Sequence, residues 1–202
     1  MENGSSDRTL DLAQEYALRH PNLIVHHEEQ PGKGNAVRRG MLKARGEYRF
    51  ICDADLSMPI EELQKFLPPV LNDFDIAIGS REAPGAIRFH EPPYRHFGGR
   101  AINLLIRLLI LPGLNDTQCG FKCFRAEATE VIFLQQTLTG WSFDIELLYL
   151  ARQKKLRVKE IPIQWYFGPD SKVNAIRDAL RMIGDIFRIH LHAIRGKYDL
   201  TP

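Results

Sequence analysis

Tyr48-Arg49-Phe50-Ile51-Cys52-Asp53-Ala54-Asp55 is an apolar run that ends on two aspartates, and Leu56-Ser57-Met58-Pro59 follows at once. Tyr48, Phe50, Ile51 and Cys52 predict a buried strand, so the carboxylates of Asp53 and Asp55 stand where that strand meets solvent. At such a point the strand's alternation breaks into a loop. Side chains at i and i+2 can then both turn toward one hard cation carrying phosphate oxygens. Oxygen donors of this kind suit Mg²⁺ or Mn²⁺. A plain strand-to-helix turn with an aspartate N-cap uses the same residues, and Asp-x-Asp alone does not choose between the two.

Outward from this stretch, short strands and helices alternate. On the amino-terminal side, Asp7 to His20 reads as an amphipathic helix behind the Gly4-Ser5-Ser6 turn, and Leu23-Ile24-Val25 as a short strand. Pro31-Gly32-Lys33-Gly34-Asn35 is a turn leading into a basic helix over Ala36 to Ala44. On the carboxyl side, Pro59 to Leu67 opens with Pro-Ile-Glu-Glu, a helix start, and Asp75 to Ile78 is a strand ending in Gly79-Ser80-Arg81. Such alternation argues for a parallel sheet covered on both faces. Ligands of these sheets bind beyond the carboxyl ends of the strands, where Asp53, Asp55, Ser80 and Arg81 all fall.

In the second half, a Pro- and His-rich loop (Ala83 to Pro93) leads to an apolar helix from about Tyr94 to Leu111, which Pro112-Gly113 breaks. Asn115 to Lys122 reads as a dense polar loop, Ala126 to Leu134 as a helix, and Trp141 to Leu148 as the start of another. Val158 to Trp165 reads as a strand, and Val173 to Ile194 as a long amphipathic helix. No repeat or low-complexity segment is present.

The 202 residues, 44% of them hydrophobic, suffice for one core, so a single domain over 1–202 is expected, with 172–202 its terminal amphipathic helix and tail. A net charge of +2 sets up no field that would draw the chain onto nucleic acid. Cys52, Cys119 and Cys123 show neither a disulfide framework nor a zinc spacing, which fits reduced thiols in the cytoplasm. The polar amino terminus carries no signal-peptide core. The apolar run from Ala101 to Leu111 is about half of what crosses a bilayer, so no membrane span is expected.

Several motifs occur in order: Asn3-Gly4-Ser5-Ser6-Asp7, Gly32-Lys33-Gly34-Asn35-Ala36-Val37-Arg38, Asp53-Ala54-Asp55-Leu56-Ser57 and Gly79-Ser80-Arg81. Asp116-Thr117-Gln118-Cys119-Gly120-Phe121-Lys122, Trp141-Ser142-Phe143-Asp144-Ile145-Glu146 and Ile161 through Val173 continue the series. Together they resemble family 2 glycosyltransferases, in particular the branch that makes dolichyl-phosphate or other polyprenyl-phosphate glucose. The resemblance covers nearly the whole chain. It implies the GT-A α/β fold, a mostly parallel sheet flanked by helices. Members of the family begin with a strand and a nucleotide-contacting loop, whereas this chain starts inside the following turn, with Glu2-Asn3 where an acidic pair is usual. A sheet lacking its first strand is therefore expected, through a misplaced start, a fragment or loss of part of the uridine pocket.

The reaction so implied is attack by a polyprenyl phosphate oxygen on C1 of a nucleotide-activated hexose, with inversion; UDP-glucose is the favoured donor. Asp53 and Asp55 are expected to hold Mg²⁺ or Mn²⁺ on the diphosphate, with Ser57 as a weaker oxygen, and Lys33 and Gly34 to contact the donor. The guanidinium forks of Arg81 and Arg95 match the acceptor phosphate. Lys172 joins them alone, because Tyr166 to Asp170 lack the arginine found in mannose-making relatives. The catalytic set is expected to be Asp55, Arg81 and Asp116, with Asp116 as base, sugar-orienting group or metal contact. Gln118, Asp144 and Glu146 are expected to orient sugar or acceptor, although Asp144 and Glu146 also fit a helix start complementing the dipole.

A lipid acceptor implies a membrane surface. The apolar helix with Leu104, Leu105, Leu108 and Leu109, and the last helix with Arg177, Arg181, Arg188 and Arg195, suit peripheral attachment at the cytoplasmic face. A homodimer is compatible with the chain, though no residue specifies it. Alternative readings are a polyprenyl-phosphate mannosyltransferase using GDP-mannose, or a non-catalytic remnant with a binding role. A haloacid-dehalogenase-like phosphatase, with Asp53 as nucleophile, needs an order of later motifs that this chain lacks.

Overall fold

A computed structural model describes residues 1–168 and 175–199. In chain order the elements are α1 (Thr9–Arg19), α2 (Lys33–Lys43), β1 (Tyr48–Cys52), a 3-10 helix (Ile60–Phe66), β2 (Ile76–Ser80), β3 (Ile87–Phe89) and α3 (Pro93–Leu109). Then come β4 (Phe121–Arg125), α4 (Ala126–Phe133), α5 (Phe143–Gln153), β5 (Val158–Pro162), β6 (Gln164–Tyr166) and α6 (Ala175–Ile194).

The main sheet has four strands in the order β1-β4-β2-β5. β2 and β5 pair in parallel, and β4 pairs antiparallel with both β1 and β2, so three strands point one way and β4 runs against them between β1 and β2. A polar loop was expected over 115–122; its last two residues instead open β4. That reversal positions the site. Cys52, the last residue of β1, lies opposite Phe121, the first of β4, so the loop preceding β4 arrives at the carboxyl ends of β1 and β2.

Alternation along the strands divides the core. Ile51, Ile76, Ile78 and Phe124 face a cluster built with α4, α5 and α6, through Ile132, Phe133, Leu147, Leu150 and Ile186. Ala77, Phe121, Cys123 and Ile161 face the opposite cluster, with Phe66 and Phe74. There Phe50, Phe66 and Phe121 form an edge-to-face triangle with centroids 4.9 to 5.3 Å apart.

Four further expectations change. Leu23-Ile24-Val25 forms no strand, and only an isolated bridge between Glu2 and His27 ties this segment. The helix expected over 59–67 is the tighter 3-10 type. The strand expected over 158–165 divides in two at Ile163, with β6 pairing β3 in a separate two-stranded sheet. Although its amphipathic helix forms, α1 buries none of its residues.

Candidate active site

Asp53 follows β1 directly, and its backbone N–H donates to Gly120 O at 3.1 Å. Its carboxylate lies against bare backbone: a Cβ on Gly120 would come within 2.0 Å of Asp53 Oδ2. Lys33 Nζ reaches the same carboxylate at 2.7 Å. The lysine is delivered by a loop that admits no side chain. Gly32 has φ +138°, a conformation glycine tolerates, and a Cβ there would meet Thr139 O at 2.4 Å. Asn3 closes the loop from the other side, its Oδ1 accepting Gly32 N–H at 2.8 Å while its Nδ2 donates to Gln30 O at 2.7 Å. Gly34 N–H donates to Thr139 O at 2.9 Å, so the amide expected to contact the donor is already bonded within the protein.

Asp55 lies beyond the strand with its side chain open to solvent, and its Oδ1 accepts Ser57 N–H at 3.0 Å in an Asx turn. Between them Leu56 adopts φ +56° with 83% of its surface exposed. Two carboxylates separated by one residue offer hard oxygen donors, the set that Mg²⁺ or Mn²⁺ takes. Among the described residues no third His, Cys, Asp or Glu completes a protein-only cage. The hard oxygens of Asp53 and Asp55 are of the donor type that such a cation takes, so the residues present fit a divalent metal.

Arg81 follows β2 and meets Asp116 as a fork. Its Nε donates to Oδ2 at 2.6 Å and its Nη2 to Oδ1 at 2.9 Å, while its backbone N–H donates to Oδ2 at 3.0 Å. Asp116 is fully buried. Burial alone pushes its carboxyl up, but the Arg81 charge and hydrogen bonds override this and hold it down at about 2. Trp165 lies beneath the guanidinium, 5.4 Å from ring centroid to carbon. Of the three roles expected for Asp116, base and metal contact do not suit a buried carboxylate whose oxygens are already taken.

Asp116 is itself held from below. Glu160, on β5, accepts Asn115 N–H at 3.0 Å and Asp116 N–H at 2.9 Å, and Asn115 Nδ2 donates to it at 2.8 Å. Sequence reasoning missed this residue, since a lone glutamate in a strand carries no local signal.

Lys122, on β4, is buried and pairs with Asp144 of α5 at 2.8 Å, while its Nζ also donates to Cys119 O. Burial raises the Asp144 carboxyl above its ordinary range, against the opposing pull of Lys122. Lys33 and Asp53 also act on it electrostatically. Cys119 is buried, and burial pushes its thiol up to about 12, which leaves no thiolate for nucleophilic chemistry.

Glu146 corrects an expectation. It is completely buried and accepts from Thr137 N–H and Leu138 N–H, at 3.0 and 2.7 Å, from Thr137 Oγ1, and from Tyr198 OH at 2.7 Å. These bonds clamp the 137–138 loop to α5 and to the turn after α6, leaving no oxygen to orient a sugar. Ser57 is likewise buried. Gln118 is half-buried beside Asp116, to which its N–H donates at 3.4 Å. Arg95, at the start of α3, sits over Phe167 at 5.3 Å. Lys172 lies outside the described residues.

The structure thus brings together Lys33, Asp53, Asp55, Arg81, Asp116, Gln118 and Asp144 around the loop that precedes β4. Residues 1–133 match the family described as glycosyl transferase family 2. The chain is 35% identical over 215 residues to a dolichyl-phosphate beta-glucosyltransferase of Trichomonas vaginalis, covering 100% of this chain and 63% of that protein. It is 32% identical over 215 residues to a dolichyl-phosphate beta-glucosyltransferase of Drosophila melanogaster, covering 100% and 65%. The chain therefore spans less than two thirds of the length of these curated relatives. Among solved structures, glucosyl-3-phosphoglycerate synthase from Mycobacterium tuberculosis, in complex with Mn²⁺, uridine-diphosphate-glucose and phosphoglyceric acid, superposes with a TM-score of 0.63 at 14% identity. That match covers 100% of this chain and 68% of the synthase chain, and establishes likeness of fold.

Proposed function

Because the chain belongs to glycosyl transferase family 2, we propose that it transfers a glucosyl unit from UDP-glucose to the phosphate of a polyprenyl lipid of the dolichyl type. A phosphate oxygen of the lipid attacks C1, the bond from C1 to the diphosphate oxygen breaks, and UDP leaves with the electron pair. The relatives named for that activity support the reading of donor and acceptor.

One observation carries it from the geometry: Arg81 is clamped by Asp116, which the pairing keeps charged and engaged in spite of its burial. Asp144 is also engaged, by Lys122. A sugar hydroxyl acceptor needs a free base to take its proton. A phosphate acceptor is already an anion, and what it needs is a fixed cation. Arg81 supplies one, oriented by its bidentate partner and by Trp165, with Arg95 as a second guanidinium for the same group. Asp116 acts here as a positioning residue. Gln118 and Asp144 are assigned to the sugar side of the site, next to Arg81 and Lys33 respectively.

Asp53 and Asp55 would hold a divalent cation, Mg²⁺ or Mn²⁺. When bound, such an ion neutralises charge developing on the departing diphosphate. Lys33 adds a fixed positive charge beside Asp53, whose carboxylate packs against the bare Gly120 backbone. For the lipid, α3 exposes Phe97, Leu104 and Leu108, and α6 exposes Leu180, Phe187 and Ile194. We assign these faces to peripheral contact with the cytoplasmic surface of a membrane. Among the described residues no helix is long and apolar enough to cross one.

The test is mass-spectrometric detection of hexosyl polyprenyl phosphate after incubation with Mn²⁺, a short polyprenyl phosphate and, separately, UDP-glucose, UDP-galactose and GDP-mannose. Product from UDP-glucose alone, lost in Asp55→Asn, is the expected result. Product from GDP-mannose alone would replace the sugar assignment, and no product from any donor with folded protein would sink the catalytic reading.

A further inference from the structure

We infer that the indole of Trp141 is the platform on which the hexose ring of the nucleotide-sugar donor lies. The inference rests on the donor reading given above, in which the diphosphate is held at Lys33, Asp53 and Asp55.

Trp141 precedes α5, and 68% of its surface is exposed. A large aromatic side chain left in water is ordinarily unremarked when isolated, but this one follows a loop whose backbone is hydrogen-bonded on both sides. The loop just before it is pinned to the start of α2: Gly34 N–H donates to Thr139 O at 2.9 Å, and Gln136 Nε2 donates to Gly34 O at 2.9 Å and to Leu138 O at 2.8 Å. Side chains are excluded at Gly32 and Gly34, whose added Cβ atoms would meet Thr139 O at 2.4 Å and Leu138 O at 2.7 Å. Glu146 grips the other end of the loop through Thr137 and Leu138. The chain is therefore held up to the residues just before Trp141, and among the described residues the indole belongs to neither core cluster.

That position adjoins the donor groups. Lys33 Nζ lies 5.0 Å from the indole centroid and 2.7 Å from the Asp53 carboxylate, so one ammonium joins the aromatic face to the candidate metal site. The two distances through Lys33 Nζ, 5.0 and 2.7 Å, place the indole centroid no farther from the Asp53 carboxylate than their sum, within reach of a sugar bonded directly to a diphosphate held there. The chemistry matches. The negative face of an aromatic ring attracts weakly positive C–H groups as it attracts cations. A glucopyranose ring carries its ring hydroxyls at C2, C3 and C4 equatorially and so offers broad C–H faces. An axial hydroxyl at C4, as in galactose, or at C2, as in mannose, puts a polar group onto one face. Trp141 thus provides affinity for the sugar through one of its C–H faces.

Isothermal titration of wild type, Trp141→Phe and Trp141→Ala with UDP and with UDP-glucose, each in Mn²⁺, separates this from a structural role. The expected result is UDP affinity within about twofold in all three proteins, with UDP-glucose affinity about tenfold weaker in Trp141→Ala and partly retained in Trp141→Phe. Equal weakening for UDP and UDP-glucose would mean that the indole only steadies Lys33, and unchanged UDP-glucose affinity would remove it from the sugar site; either result overturns the inference while leaving the donor site intact. Wild-type protein that binds neither ligand would overturn the donor reading itself, and the inference with it.

Discussion

The guanidinium of Arg81 and the carboxylate of Asp116 meet edge to edge, Nε to Oδ2 at 2.6 Å and Nη2 to Oδ1 at 2.9 Å, with the carboxylate fully buried. Asp116 has a folded-state value of about 2, below its ordinary 3.8. The stability it contributes is complete above its unfolded value and is lost as pH falls through about 2. Unfolding free energy measured from pH 5 to pH 2 should therefore decline, by an amount on the order of 2 kcal/mol from this group. Asp116→Asn should flatten that decline while lowering stability at neutral pH by about 3–5 kcal/mol, because it strands the Arg81 charge.

Gly120→Ala tests the contact between Asp53 and bare backbone. The new methyl would overlap Asp53 Oδ2 at 2.0 Å, and the carboxylate, half-exposed and on a strand end, is what gives way. Stability should fall by only about 1–3 kcal/mol. Nucleotide affinity in Mn²⁺, read by calorimetry, should drop well beyond what that loss implies. Wild-type affinity in the variant would show that Asp53 does not touch the donor complex.

Glu160→Gln tests the support beneath Asp116. The glutamate only accepts, and the amide that replaces one oxygen would face the N–H groups of Asn115. A loss of about 1–3 kcal/mol is expected in urea unfolding. Arg81 is then less firmly placed, so KM for polyprenyl phosphate should rise while affinity for UDP-glucose stays near wild type. A matched change in both would assign Glu160 to general stability.

Tyr198→Phe removes one donor from the buried Glu146 carboxylate and leaves the others in place. Hydrogen bonds to charged groups contribute about 1.5–3 kcal/mol, and the melting temperature should fall accordingly. Glu146→Ala should be far worse, since it strands Thr137 N–H, Leu138 N–H and the Tyr198 hydroxyl together. A Glu146→Ala protein as stable as wild type would contradict the clamp.

Much of this was legible in the chain. Local patterns foretold α1, α2, β1, β2, α3, α4, α5 and α6 to within a few residues, because apolar periodicity and turn residues act over a few positions. Leu23-Ile24-Val25 misled, since a β-branched run makes a strand only where a neighbour accepts its hydrogen bonds, and no named strand pairs with it. β4 was hidden for the converse reason. Phe121-Lys122-Cys123-Phe124-Arg125 carries a lysine and an arginine, and its strand character comes from being flanked by β1 and β2.

The sequence by itself determined which chemistry-bearing side chains exist and that Asp53 and Asp55 stand at the end of a buried strand, because strand propensity and loop punctuation are short-range properties. Only the tertiary structure decided which partner each charge meets. That Asp116 meets Arg81, that Glu146 meets the 137–138 loop and that Glu160 meets Asp116 depend on partners 35, 9 and 44 residues away. A buried charge takes its role from the partner that compensates its desolvation, and that partner is chosen by the packing of β4 between β1 and β2, not by the residues beside it in the chain.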